Sequence, residues 1–137
     1  MRKILAFVLL GNASLALAAP DDIPTVNYLE KLQPTVCEGI SLEYWGASEC
    51  LNKMVGDSEQ QLKVRLIEIR KTLDDYGSNY RAAFDAEQAS WEKYKKDHCA
   101  YKVTEMERQA YSDTLSSCLA TENYRRLDTI RHEPSFP

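Results

Sequence analysis

From residue 35 to residue 133 the chain contains no proline, and Gly39, Gly46, Gly56 and Gly77 are the glycines of that stretch. Proline and glycine are the residues that disfavour a helix interior most, by about 3 and 1 kcal/mol against alanine. A stretch this long with so few of them points to a body built of helices. The apolar residues agree: Leu62, Leu66, Ile69, Leu73, Tyr76 and Tyr80 recur at steps of four and three, which puts them on one helical face. Tyr80, Phe84, Glu87, Trp91, Tyr94 and His98 continue with the same steps. Two steps of four meet at Tyr80, and the resulting phase slip falls beside Gly77-Ser78-Asn79.

That slip is compatible with one helix of about 42 residues, ~63 Å long, or with a helical hairpin turning near Gly77. The cysteines favour the hairpin. A straight helix would strand Cys50 and Cys99 far beyond the ~7 Å that limits a disulfide, whereas a turn at Gly77 brings them to within about five residues of register. A helix break at Gly56, followed by Asp57 as cap with Gln60 three residues on, would absorb the offset. Four cysteines, Cys37, Cys50, Cys99 and Cys118, allow three pairings. Reach favours Cys50 with Cys99 and Cys37 with Cys118 over a Cys99 to Cys118 bridge. The latter demands a sharp reversal near Lys102, with a last helix of about residues 104–130 opening at a Thr104 capping box. The expected fold class is all-α: a small disulfide-stapled helical bundle with a hairpin near Gly77.

The flanks differ in kind. Arg2 and Lys3, the apolar run through Leu10, and Ala16-Leu17-Ala18 have the three parts of a secretory signal peptide, residues 1–18. Its apolar run is too short to span a bilayer, and no cysteine follows the cut, so a soluble exported protein without a membrane anchor is expected. Residues 19–36, with Pro20, Pro24 and Pro34, read as an extended N-terminal segment, residues 37–130 as the helical domain, and residues 131–137 as a flexible tail. Removing Arg2 and Lys3 leaves 15 basic residues against 21 acidic ones, a net charge of −6. That balance disfavours nucleic acid and favours a basic protein partner. An oxidising compartment suits two disulfides, which places the protein in a bacterial periplasm or outside the cell.

Catalytic patterns are missing from the sequence. It carries no nucleophile motif, phosphate loop or metal-ligand helix, and only two histidines, His98 and His132. The cysteines lack the close pair spacing of a zinc site, so neither metal nor other cofactor is expected, and the protein reads as a non-enzyme. Trp91 and Tyr94, in phase with Phe84, read as core. Gln88 suits a hydrogen bond to backbone at a helix contact, and Lys93, Lys95 and Lys96 read as a solvated face.

Gln88, Trp91, Tyr94, Lys95, Asp97 and Cys99, followed by Cys118, Thr121, Arg125, Arg126 and Leu127, resemble the signature of the LprI-like lysozyme-inhibitor family of small exported helical domains. Lys95 stands where that family usually has Arg, and Glu87 where it usually has Ala. The resemblance spans roughly residues 37–130. It implies an exported binding protein that inhibits a C-type lysozyme by non-covalent occlusion of its cleft. A cell-envelope interaction or immunity-type protein with a different target is the second reading. Lysozyme of this type is basic with a carboxylate-lined cleft, so acidic residues at an exposed end are the expected contact: Asp74, Asp75 and Tyr76 at the hairpin tip.

Overall fold

The computed structural model describes residues 26–43 and 45–135. They form four α-helices: α1 (Tyr28–Val36), α2 (Gly46–Tyr76), α3 (Ser78–Lys102) and α4 (Arg108–Thr129). No strand occurs among the described residues. The expected signal peptide lies outside them.

Helices α2 and α3 form the expected hairpin. Gly77 joins them at φ 129° and ψ 154°, a conformation open essentially to glycine alone. Leu62, Leu66, Ile69 and Leu73 of the predicted stripe are buried together with Ile130, and Phe84 and Trp91 of α3 pack against them. Helix α4 lies chiefly on α2. It runs parallel to α2, since Asn123 donates to Ser58 Oγ at 3.0 Å and Gln109 to Ser48 Oγ at 2.8 Å. A second cluster of Cys37, Cys50, Met54, Ala120 and Tyr124 fills the other end, covered by Tyr28, Leu29, Leu32 and Val36 of α1.

The disulfides correct the expected pairing: Cys37 bonds Cys50 and Cys99 bonds Cys118, with Cα–Cα distances of 5.3 and 5.6 Å. Two features decide this. Helix α2 does not break at Gly56, so nothing absorbs the offset between Cys50 and Cys99. With Arg70 facing Asp85 across the hairpin, the residue facing Cys99 is about number 56, which leaves Cys50 roughly 9 Å away along the axis. No tight reversal at Lys102 is needed either. Residues 103–107 carry the chain onward past the end of α3 before α4 starts at Arg108, with Glu105 and Arg108 at positive φ. The helix therefore begins four residues later than its expected capping box, and Thr104 Oγ1 donates back to Ala100 O instead. Cys99 and Cys118 then share the antiparallel register set by Lys95 and Asn123.

Both flanking expectations also change. Residues 28–36, expected to be extended, are helical because Asn27 caps them by accepting from the Glu30 amide at 3.2 Å while the apolar face packs on the core. Pro34 is tolerated on the exposed side. At the other end the Arg65 guanidinium donates to the carbonyl oxygens of Ile130, Arg131 and Glu133, at 3.4, 2.9 and 2.6 Å. The beginning of the expected flexible tail is thereby fastened to α2.

Candidate functional site

Two places gather the residues singled out by the sequence: the middle of the bundle and the hairpin tip. In the middle, Gln88, Trp91, Lys95 and Arg126 meet. Gln88 is buried and bonds side chains, not backbone as expected, accepting from Arg126 Nε at 3.0 Å and donating to Glu92 at 3.1 Å. Arg126 is buried too, and its charge is matched by Glu87 at 2.8 Å and by the Trp91 ring, 5.7 Å from its guanidinium carbon. Lys95 does not join Lys93 and Lys96 in solvent. Its ammonium lies 4.6 Å from the centre of the Trp91 ring and donates to Asn123 at 2.9 Å. Burial depresses the Lys95 pKa, against the opposing pull of Glu59 and Glu92. Cations over the Trp91 face and the hydrogen bonds of Gln88, Lys95 and Arg126 make this a structural lock between α3 and α4, in which the buried Arg126 Nη2 alone has no hydrogen-bond partner among the described residues.

Asn123 and Ser58, which sequence reasoning passed over, complete the lock. Both are fully buried, and the Ser58 hydroxyl in turn donates a hydrogen bond to Val55 O at 2.9 Å. Next to them Tyr124 donates to Asp57 at 2.7 Å, so Asp57 joins helices and does not cap one. Burial first, and then that bond, raise the Tyr124 pKa well above the ordinary phenol range. A polar residue on a helix looks like a surface residue until its partner helix is known, and no local signal marked these.

Other motif residues are dispersed. Leu127 packs between the two apolar clusters. Asp97 pairs with Lys93 on the surface at 2.5 Å, and hydrogen bonding to Lys93 holds its carboxyl below the usual range. Tyr94, expected in the core, is 49% exposed and stacks on His98 with ring centres 5.3 Å apart. Arg125 sits at the surface, with Nη1 2.6 Å from the buried carboxylate of Glu122. Among the described residues no group of three or more His, Cys, Asp or Glu side chains is placed to hold a metal ion.

The tip is a separate construction. Helix α4 ends at Thr129 beside Arg65, so residues 67–76 of α2 run on past it for about 15 Å, with α3 alongside. The turn is clamped by charge. Arg81 Nη1 donates to both Asp74 oxygens at 2.9 and 3.0 Å, and Arg81 Nε and Arg70 Nε each donate to Asp85 at 2.8 Å. Those hydrogen bonds, Arg70 first, hold the Asp85 carboxyl below its ordinary value. The pairing neutralises Asp74 locally. Asp75 and Tyr76 are both exposed at the end of α2, Tyr76 by 57%.

No helix among the described residues is long and apolar enough to cross a membrane. No curated protein and no solved structure matches the chain. A family model does match: that of Lysozyme inhibitor LprI, over residues 42–129. That span holds α2, α3, α4, the lock and the tip, and more than half of the 137-residue chain. The protein therefore belongs to the LprI family of lysozyme inhibitors.

Proposed function

We propose that this inhibitor acts on a C-type lysozyme outside the cytoplasm, in the periplasm or as a secreted protein, by placing its hairpin tip over the enzyme's cleft without forming a covalent bond. The observation that supports the reading most is the length of clamped hairpin running about 15 Å beyond α4. An element that is already ordered loses little conformational entropy on insertion. The net charge of −6 expected for residues 19–137 steers the inhibitor toward a basic enzyme, and salt weakens that steering. Because Asp74 is engaged with Arg81, the negative charge offered to the partner at the tip rests on Asp75.

The test is the lysis of a peptidoglycan suspension by a C-type lysozyme, with the exported protein titrated in. Inhibition is expected to rise with concentration and to weaken as salt increases. Asp75→Lys should raise the inhibitor concentration needed by at least tenfold. If Asp75→Lys and the double change Asp74→Ala, Asp75→Ala both inhibit like the parent, the tip is not the contact. No inhibition at micromolar protein moves the reading to a cell-envelope or immunity-type interaction with a different target.

A further inference from the structure

Tyr94 and Arg125 belong to the motif but neither to the core nor to the buried lock. They meet on the face between α3 and α4, beside the Cys99–Cys118 bridge, where they line a depression of about 440 Å3. It lies some 25 to 35 Å from the tip along α3. Its volume falls within the range of about 300–1,000 Å3 usual for small-molecule sites.

The lining combines three chemistries. Tyr94 stacks on His98 with the two rings parallel to within 13°, which fixes the orientation of the Tyr94 ring while about half of that residue stays open to solvent. Thr114, Ser117 and Thr121 lie three and four residues apart on α4, and all three line the depression. Each hydroxyl can both donate and accept. Lys102 and Arg125 supply positive charge. Lys102 forms no ion pair among the described residues, and Arg125 uses Nη1 on Glu122, leaving its other guanidinium nitrogens for a ligand. Glu122 is itself buried beneath Arg125, whose guanidinium matches its carboxylate, so the net charge left at the mouth is that of Lys102. The depression thus carries net positive charge on a protein whose overall balance is acidic.

An aromatic ring held in place suits the apolar face of a pyranose ring, a row of hydroxyls suits its polar rim, and the Lys102 ammonium with the remaining Arg125 N–H donors suits one carboxylate. We infer that this depression binds an acidic saccharide, a sugar ring carrying a carboxylate, independently of the lysozyme-directed tip.

N-acetylmuramic acid is a suitable probe, because N-acetylglucosamine reproduces its ring without the carboxylate and lactate its carboxylate without the ring. Titrated into the disulfide-bonded protein and followed by heteronuclear NMR, N-acetylmuramic acid should shift Tyr94, Lys102 and Thr121 resonances saturably. Its affinity should exceed that of either half by at least tenfold. Lys102→Glu and Tyr94→Ala, both on exposed side chains, should each weaken it at least tenfold while leaving the circular dichroism spectrum and lysozyme inhibition unchanged. Lactate binding as tightly as the whole sugar would reduce the site to an anion patch and overturn the saccharide assignment. Absence of saturable shifts at these residues, or equal binding by both variants, would overturn the site.

Discussion

Removing cysteines in pairs separates the observed disulfide arrangement from its rival by stability alone. The bridges close loops with sequence separations of 13 and 19 residues. Restricting the unfolded chain in this way contributes about 2.9 and 3.2 kcal/mol on the loop-closure relation. Cys37→Ala with Cys50→Ala opens one loop and should lower the unfolding free energy by about 3 kcal/mol. Cys50→Ala with Cys99→Ala removes one sulfur from each bridge and opens both loops, lowering it by about 6 kcal/mol. That approaches the whole stability of an ordinary small domain, about 5–15 kcal/mol. Were Cys50 bonded to Cys99 instead, the order would invert, because the second variant would open one loop of roughly 49 residues, contributing about 4 kcal/mol, and the first would open both. Urea unfolding followed by circular dichroism at 222 nm, roughly the helical minimum, reads the order directly from the midpoints. A Cys50/Cys99 variant more stable than the Cys37/Cys50 variant would refute the pairing and the register argument behind it.

Three further outcomes follow from single positions. Gly56 lies in an unbroken, exposed part of α2, and an added Cβ would meet nothing within 4 Å; Gly56→Ala should therefore stabilise by about 0.5–1 kcal/mol in the same urea assay. Gly77→Ala has equal space but is held at φ 129°, and it should destabilise by about 1–3 kcal/mol. Tyr124 has a pKa raised above its ordinary value of 10.0 in the folded state, so the native protein keeps a proton that the unfolded chain releases. Its contribution to stability is fully present below pH 10 and falls as pH rises beyond it, and Tyr124→Phe should flatten that alkaline decline in thermal melts taken across the range.

The hairpin was legible in the sequence because it depends on local quantities. A 3.6-residue apolar period, its phase slip, and a glycine at the slip are properties of neighbouring residues, and they marked Gly77 as the place of a turn; the preference for a hairpin over a straight helix rested on a Cys50–Cys99 bridge that the structure does not form. The motif residues were legible in the same way, as positions along one helix. Their roles were not. Trp91, Lys95 and Tyr94 sit within four residues of each other, yet the first two face the α4 lock while Tyr94 faces out beside His98. The direction in which α4 packs decides which is which.

By itself the sequence determined a helical, acidic chain with paired cysteines and an interrupted stripe at Gly77, since propensity, periodicity, charge and cysteine content act without reference to distant residues. Only the tertiary structure decided how the cysteines pair, that α2 passes through Gly56, that Ser58 and Asn123 are buried, and that Asp74 is neutralised by Arg81. Each of these depends on the register between helices. A shift of a few residues along an axis changes which side chains meet while leaving every helix's own pattern intact.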